Sequence, residues 1–224
     1  MFENVNTVYQ LIQYASNKAQ NGYVSPEDFN LVIGQAQLSF ADYLLGQFQQ
    51  FQPGRPQARV QYTENQITRQ RLTPVIYGYI LNPDPTGFAP YPGDYVQTDA
   101  MWTMYGNSRV RYCEQEHLYS TVNSSIDPVT TNPIYLIEDE GFRFYPLTIG
   151  QAKLSYVRNP PAIIWGYTLD SNGLPVYNAA TSANPVWADV DMLEIIVRAL
   201  KLVGVNLQSG VLLQYANQIQ EGGQ

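Results

Sequence analysis

Histidine chemistry is confined to one position, because the 224 residues contain a single histidine, His117. Glu114 precedes it by three residues, which is the spacing of half a carboxylate-bridged di-iron site on one helix face. A complete site needs a second such motif and further Glu ligands, and the sequence contains neither. Cys113 lies four residues before His117, but nothing around it indicates an activated thiol. We therefore expect a surface or structural histidine, and no metal site.

Paired carboxylates are the second possible source of chemistry. Asp94 is paired with Asp99, follows Pro-Gly and precedes aromatic strand residues. A glycosidase or sugar-binding cleft can therefore be imagined here with the nearby aromatic residues, which are Tyr91, Tyr95, Trp102 and Tyr105. Glu138, Asp139 and Glu140 form a second group, and a small hydrolase would use Asp94 or Glu140. The simpler interpretation is a turn aspartate, core aromatics and a solvated hairpin corner.

Motifs for nucleotide binding and serine hydrolysis are absent from the sequence. It contains no glycine-rich phosphate loop of either common type, and no G-x-S-x-G elbow. The only histidine would have to serve any Ser-His or Cys-His pair. We identify no catalytic residue, and we expect a protein that is not an enzyme and needs no cofactor.

The composition favours protein contacts over nucleic-acid or membrane contacts. Charged residues are only 14% of the chain, against about a quarter in typical proteins, and there are eighteen tyrosines. Nine of the twelve cations are Arg, which tolerates desolvation at interfaces better than Lys. The net charge of −7 argues against a grip on DNA or an anionic membrane as the main role. One cysteine, no apolar run of membrane-spanning length and no basic, apolar leader predict a chain made in a reducing cytosol.

Helical patterns occupy the N-terminal sub-region, residues 1–51. Residues 5–20 have apolar residues at helical spacing, and Ser25-Pro26 begins a second helix with a good cap. The inner face expected for that second helix consists of Phe29, Ile33, Ala36, Phe40, Tyr43 and Leu44. The Gln-rich segment 47–70 that follows is poor in large aliphatic residues. We expect it to be a solvated linker or surface loop, or an extended arm that contacts a partner.

Short strand patterns separated by Pro and Gly fill the middle sub-region, residues 72–178. "NPIYLIEDEGFRFYP" predicts a hairpin, and "SNG" at 171–173 predicts another. "QAKLSYV" alternates, which puts Ala152, Leu154 and Tyr156 on one face. Asn159-Pro160-Pro161 then stops the strand pairing. We expect a mainly antiparallel, β-rich middle.

The C-terminal sub-region, residues 185–221, returns to helical patterns. Acidic residues come early in "NPVWADVDMLEIIVRALKLVGV" and basic residues late, which suits the helix dipole. Its expected apolar stripe is Leu193, Ile196, Val197 and Leu200. Gly204 is expected to end this helix, and a shorter helix follows it. Helices, then strands, then helices indicate an α+β fold, which we assign to a single connector-type domain over 1–224.

Four pieces of the sequence in this order resemble a known family. They are the helix pair with "SPEDFN", then "PYPGDY", then "NPIYLIEDEGFRFYP" followed by "LSYVRNPPAIIW", and finally "NPVWADVDMLEIIVRALKLVGVNL". Together they resemble structural proteins from the portal vertex of crAss-like tailed bacteriophages, the ring or connector proteins that join head to tail. The resemblance spans roughly residues 5–215 and rests on short patterns, without a catalytic signature.

The resemblance implies a non-enzymatic virion protein at the head-tail interface, assembled in the host bacterial cytoplasm. Its partners would be copies of itself in a ring of about twelve, the portal protein and other connector or tail proteins. Viral DNA would pass through the channel without sequence-specific binding, and no membrane would be involved. An acidic channel would repel phosphate and let DNA slide.

Within this hypothesis, arginines and aromatics are the expected interface residues, chosen by type and position. They are Arg69, Arg71, Arg109, Arg111, Arg158, Tyr62, Trp102 and Tyr156. The ordinary alternative for each is a contact within the chain. The alternative function is a phage tail or fibre module that binds a receptor or carbohydrate through exposed aromatics.

Overall fold

The computed structural model describes residues 2–18, 22–48, 59–104, 108–123 and 128–204, with backbone alone at 47, 48 and 59–65. This part of the chain has the predicted mixed α+β fold. Its helices are α1 (Val5–Lys18), α2 (Pro26–Phe48), α3 (Arg59–Leu72), α4 (Leu118–Val122) and α5 (Asp189–Leu202). Its strands are β1 (Ile76–Leu81), β2 (Phe88–Pro90), β3 (Tyr95–Thr103), β4 (Arg111–Tyr112), β5 (Ile134–Ile137), β6 (Gly141–Tyr145), β7 (Ala152–Arg158), β8 (Tyr167–Leu169) and β9 (Pro175–Tyr177).

The described residues divide into two compact units. The helical unit combines the described parts of Met1–Pro74 and Pro160–Gln224, and the sheet unit is Val75–Asn159. The expected β-rich sub-region 72–178 is therefore divided between the two units, because β8 and β9 belong to the helical unit. Assignment of the whole chain to one connector-type domain stays a prediction. Of the helices described, none has the length and apolarity to cross a membrane.

The first two helices form as predicted from their apolar spacing and cap. Ser25 Oγ accepts a hydrogen bond from the Asp28 backbone N–H at 3.1 Å, and Pro26 is the first residue of α2. The prediction for Tyr43 was wrong, since its side chain is 45% exposed. The Arg198 guanidinium lies 5.0 Å from its ring centre and holds it at the surface. Gln37 is buried instead, and its amide donates to the Pro161 carbonyl at 3.0 Å.

Helix α3 corrects the prediction for the Gln-rich segment. The sequence predicted a linker, loop or extended arm over 47–70, but residues from Arg59 onward are helical. Gln and Arg are good helix formers, and α3 packs against α2, so tertiary contact stabilises a helix that has no apolar stripe of its own. Residues 49–58 lie outside the described part.

Helix α5 is present, but its buried face differs from the predicted stripe. Leu193 and Val197 are half-buried, while the fully buried positions are Asp191, Met192, Ile195, Ile196, Ala199 and Leu200. The face turned inward includes Asp191, because its carboxylate is paired with Arg71. Gly204 adopts φ +82° after the last turn, as expected for a glycine that ends a helix. The shorter C-terminal helix predicted beyond it lies outside the described residues.

The predicted "SNG" hairpin is confirmed in the helical unit as β8 and β9. Asp170 Oδ1 accepts the backbone N–H groups of Asn172 and Leu174, which fixes the turn. Gly173 supplies the positive φ of +76° that the turn requires. Trp165, just before β8, is buried and stacks on Tyr9 at 4.2 Å between ring centres, which ties the hairpin region to α1.

Two sheets build the sheet unit, with strand orders β1-β7-β3 and β2-β6-β5-β4. All pairings in them are antiparallel except the short parallel pair β4–β5, which the sequence did not predict. The predicted hairpin of "NPIYLIEDEGFRFYP" is β5–β6. Ala152, Leu154 and Tyr156 are all buried, as the alternation of β7 predicts. They belong to the core cluster of the unit, with Leu81, Ala89, Met101, Val110, Tyr135, Phe142, Phe144 and Ile149.

Gly141 at the start of β6 admits no side chain. A Cβ placed there would overlap the backbone oxygen of Ala89 and approach the Pro90 Cα to 2.9 Å. We expect Gly141→Ala to destabilise the protein by about 1–3 kcal/mol, because the backbone of β2 must move. Gly150→Ala is the matched control, because nothing lies within 4 Å of its added Cβ. Urea unfolding of both variants measures the difference, and equal midpoints would contradict the expected clash.

Candidate interaction surface

Asp94 and Asp99, the proposed acidic pair, are fixed by hydroxyl groups of β7. Asp94 Oδ1 accepts from the Tyr156 hydroxyl at 2.7 Å, and Asp99 Oδ2 accepts from Ser155 Oγ at 2.8 Å. The Asp94 carbonyl also accepts the Asn159 N–H at 2.8 Å. Each carboxylate thus has a role in holding β3 against β7.

Tyr156 is buried and Tyr91 is half-buried, and the surroundings of both oppose their ionisation. Burial and the hydrogen bond to Asp94 raise the pKa of Tyr156 to about 12. Burial and the neighbouring Tyr95 raise the pKa of Tyr91 to about 12. Because the usual value is 10.0, the unfolded chain ionises first as the pH rises. The folding free energy that depends on protonated Tyr156 and Tyr91 is fully present below about pH 10, and it is lost as the pH rises toward 12.

We therefore expect the free energy of unfolding to fall between about pH 10 and 12. Tyr156→Phe makes this fall shallower by about 1–2 kcal/mol, because one shifted group no longer titrates. Tyr14→Phe, at a position 66% exposed, is the control for loss of a tyrosine hydroxyl at the surface. Denaturant unfolding at stepped pH measures the slopes. An alkaline slope that is the same in wild type and Tyr156→Phe would contradict the expected role of burial.

The acidic hairpin corner is occupied by a salt bridge. Arg143 donates from Nε and Nη2 to the two carboxylate oxygens of Glu138, both at 2.9 Å. Its Nη1 donates to Thr86 O at 3.1 Å, and the guanidinium lies 5.4 Å from the Phe88 ring centre. An open depression of about 440 Å³ lies here. Asp139 and Glu140 are exposed at its rim, as expected for a solvated corner.

The His117 group lies on an exposed surface. His117 Nε2 is 3.4 Å from Glu116 Oε1 and 4.0 Å from Glu114 Oε2, and all three side chains are exposed. Cys113 Sγ is 3.5 Å from the Glu114 carbonyl and 3.9 Å from Thr121 Oγ1. The arrangement is that of solvated polar residues around the short helix α4.

The aromatic residues of the imagined sugar cleft are largely packed on one another. Tyr91 and Tyr95 stack with ring centres 4.6 Å apart, and both meet Phe142 edge to face. The Tyr91 hydroxyl donates to the Glu138 carbonyl at 2.7 Å. Trp102 is half-buried on β3, and Tyr105 lies outside the described residues. This packing leaves no open face between Tyr91 and Tyr95 for a sugar ring.

The expected interface residues are dispersed, and some bind within the chain. Arg71 is held by Asp191 at 2.7 Å and Glu194 at 3.0 Å. Arg69, Arg109 and Arg111 have exposed side chains, and Tyr156 is buried in the sheet unit. The Tyr62 side chain lies outside the described ones. The Arg158 guanidinium lies over the Tyr77 ring, 5.3 Å from its centre.

Sequence reasoning missed β1 as a surface, although three of its six residues are large, exposed hydrophobic or aromatic side chains. β1 is an edge strand with β7 as its neighbour in the sheet. Tyr77, Tyr79 and Ile80 are 51%, 46% and 43% exposed. The sequence Ile-Tyr-Gly-Tyr-Ile-Leu contains no charge and no proline, and its six pairs with β7 run without a bulge. Edge strands are normally protected by charges, prolines or bulges, and β1 has none of these.

The opposite edge of the same sheet, β3, is protected. Its register with β7 shifts twice, between Tyr95 and Gln97 and between Thr98 and Ala100, and it contains Asp99. The segment after it covers its end, since Val110 N–H donates to Met101 O at 2.9 Å. β1 is therefore the accessible edge of this sheet. No protein-family model matches the chain, and neither does any curated protein sequence.

Proposed function

We propose that the chain is a structural virion protein that forms a ring in the head-tail connector below a tailed-phage portal. The ring gives a channel through which DNA is packaged, retained and ejected. The observation that carries the proposal is the unprotected edge strand β1, which is uncharged, regular and lined by exposed Tyr77, Tyr79 and Ile80. Such an edge suits a protein that completes its structure by assembly.

The polar residues support a mechanical role. Asp94, Asp99 and Glu138, three of the five acids considered for chemistry, each hold one strand or turn against another. The net charge of −7 suits a channel wall that DNA passes without sticking. Exposed Arg109 and Arg111 at the β4 region offer forked donors to a neighbouring subunit.

Native mass spectrometry of the purified protein, alone and mixed with the portal protein of the same genome, tests the proposal. We expect closed rings of about twelve copies bound to the portal in the mixture. A chain that stays separate from the portal and binds glycans instead would replace this proposal with the receptor-binding module. Hydrolytic turnover that disappears in Asp94→Asn would replace it with an enzyme.

A further inference from the structure

Residues 76–80 of β1 have a palindromic sequence, Ile-Tyr-Gly-Tyr-Ile, centred on Gly78. When two identical strands pair antiparallel about a two-fold axis, residues at equal distances from the axis lie opposite each other. An axis at Gly78 therefore places Tyr77 opposite Tyr79 of the other copy, and Ile76 opposite Ile80. Only this register places each tyrosine opposite a tyrosine and each isoleucine opposite an isoleucine.

The same register keeps the faces of the sheet aligned. Tyr77 and Tyr79 lie opposite Tyr156 and Leu154 of β7, so both tyrosines belong to the core face. The isoleucines belong to the other face. A two-fold axis perpendicular to the sheet joins core face to core face, which gives two Tyr–Tyr contacts there and two Ile–Ile contacts opposite.

We propose that β1 is a self-pairing strand. Two copies of this chain join β1 to β1 in antiparallel orientation about Gly78, so that two three-stranded sheets become one sheet of six strands. The occupant of the edge is a second copy, because the palindrome matches its own strand and because β1 has no charge to repel itself. The bulged β3 edge ends the extended sheet, so the product is a closed dimer and not a fibre.

The orientation of Tyr77 supports this surface. Its ring meets Tyr156 edge to face at 6.2 Å and lies under the Arg158 guanidinium. The ring is thus held in place before any partner arrives, which lowers the entropy cost of pairing. The inference concerns the free protein and does not rest on the proposed ring function.

Introducing a charge of either sign at Gly78 tests the two-fold register. A Cβ at Gly78 has nothing within 4 Å, so a side chain can begin there without a clash in the single chain. In the dimer, the two introduced side chains lie directly opposite each other. We expect Gly78→Glu and Gly78→Lys each to weaken the homodimer by about tenfold or more, and an equal mixture of them to form the heterodimer. Gly78→Thr, which adds bulk without charge, is the matched control and stays dimeric.

Sedimentation equilibrium at micromolar concentrations measures these dimers, and disulfide trapping gives a readout that needs no charge. In a Cys113→Ser background, Gly78→Cys is expected to give a covalent dimer on oxidation, because directly opposite Cα atoms of antiparallel strands lie about 4.5–5.5 Å apart, which is within the range of disulfides. Val96→Cys on β3, 42% exposed, is expected to give no covalent dimer in the same background. A wild-type monomer at high micromolar concentration would overturn the proposal. So would charged variants that dimerise as tightly as wild type, or equal trapping at both cysteines.

Discussion

Replacing Arg71 by Met is expected to destabilise the protein by about 3–5 kcal/mol. The Asp191 side chain is only 5% exposed, and Arg71 Nε is its salt-bridge partner at 2.7 Å. Burial already raises the pKa of the Asp191 carboxyl above its usual value, against the opposing effect of Arg71. Without the guanidinium, the ionised carboxylate stays buried and uncompensated.

The loss in Arg71→Met also depends on pH with a definite sign. A carboxyl whose pKa is raised in the folded state binds more protons folded than unfolded. The defect is therefore largest near pH 7 and shrinks as the pH falls through the folded pKa of Asp191. Denaturant unfolding at stepped pH measures it, and a pH-independent defect would contradict the assignment to a buried charge.

Two variants separate the charge effect from packing. Arg71→Met/Asp191→Leu removes both charges, and we expect it to regain most of the lost stability. Lys201→Met, on the exposed side of α5, changes stability by no more than about 0.5 kcal/mol. If the double variant is as unstable as Arg71→Met, the ion pair does not explain the effect.

Truncation of Phe142 to Ala is the second large expected effect, about 3–5 kcal/mol. Phe142 is fully buried, and the rings of Tyr91, Tyr95 and Tyr135 pack against it edge to face within 5.7 Å. Its removal leaves a cavity at the centre of the sheet unit, and three tyrosines lose their common partner. Near-ultraviolet circular dichroism and urea unfolding measure the loss of tyrosine packing and of stability.

Ile137→Ala is the control for Phe142→Ala, because this neighbouring strand residue is 49% exposed. We expect its cost to stay below about 1 kcal/mol. Comparable costs at both positions would show that Phe142 is not at the centre of the core. Because β1 is supported by β7 over the same core cluster, Phe142→Ala is also expected to reduce assembly.

Local patterns predicted the elements that depend on local sequence. The alternation in β7, the β5–β6 hairpin and the Ser25 cap all depend on neighbouring residues, and the sequence predicted each of them. Helix α3 was not predicted, because its support comes from α2 and from Arg71 bound to residues 120 and 123 positions away. The buried face of α5 differed from its predicted stripe for the same reason.

The candidate surface was predictable only in part. The tyrosine-rich composition indicated an interface, and "PVIYGYIL" indicated a strand, but which strand lies at a sheet edge is a property of topology. Edge position, the bulges of β3 and the exposure of Tyr77 and Tyr79 depend on pairings between distant residues. The palindrome can be read from the sequence, but it matters for assembly only because β1 lies at the edge of its sheet.

The two assembly proposals are related through β1. Copies in a connector ring all point the same way along the channel, whereas the β1 dimer is related by a two-fold axis. The dimer is therefore a form of the free protein, and β1 becomes available to a neighbouring subunit when the dimer opens. Gly78→Glu is therefore expected to weaken the dimer, and the binding of this variant to the portal is a separate measurement.

Electron microscopy of the purified chain mixed with the portal protein of the same genome tests the proposed ring. We expect a closed ring of this chain seated on the portal, with an open axial channel continuous with that of the portal. A chain that stays as one or two copies, with bare portal particles beside it, would show that it is not a connector.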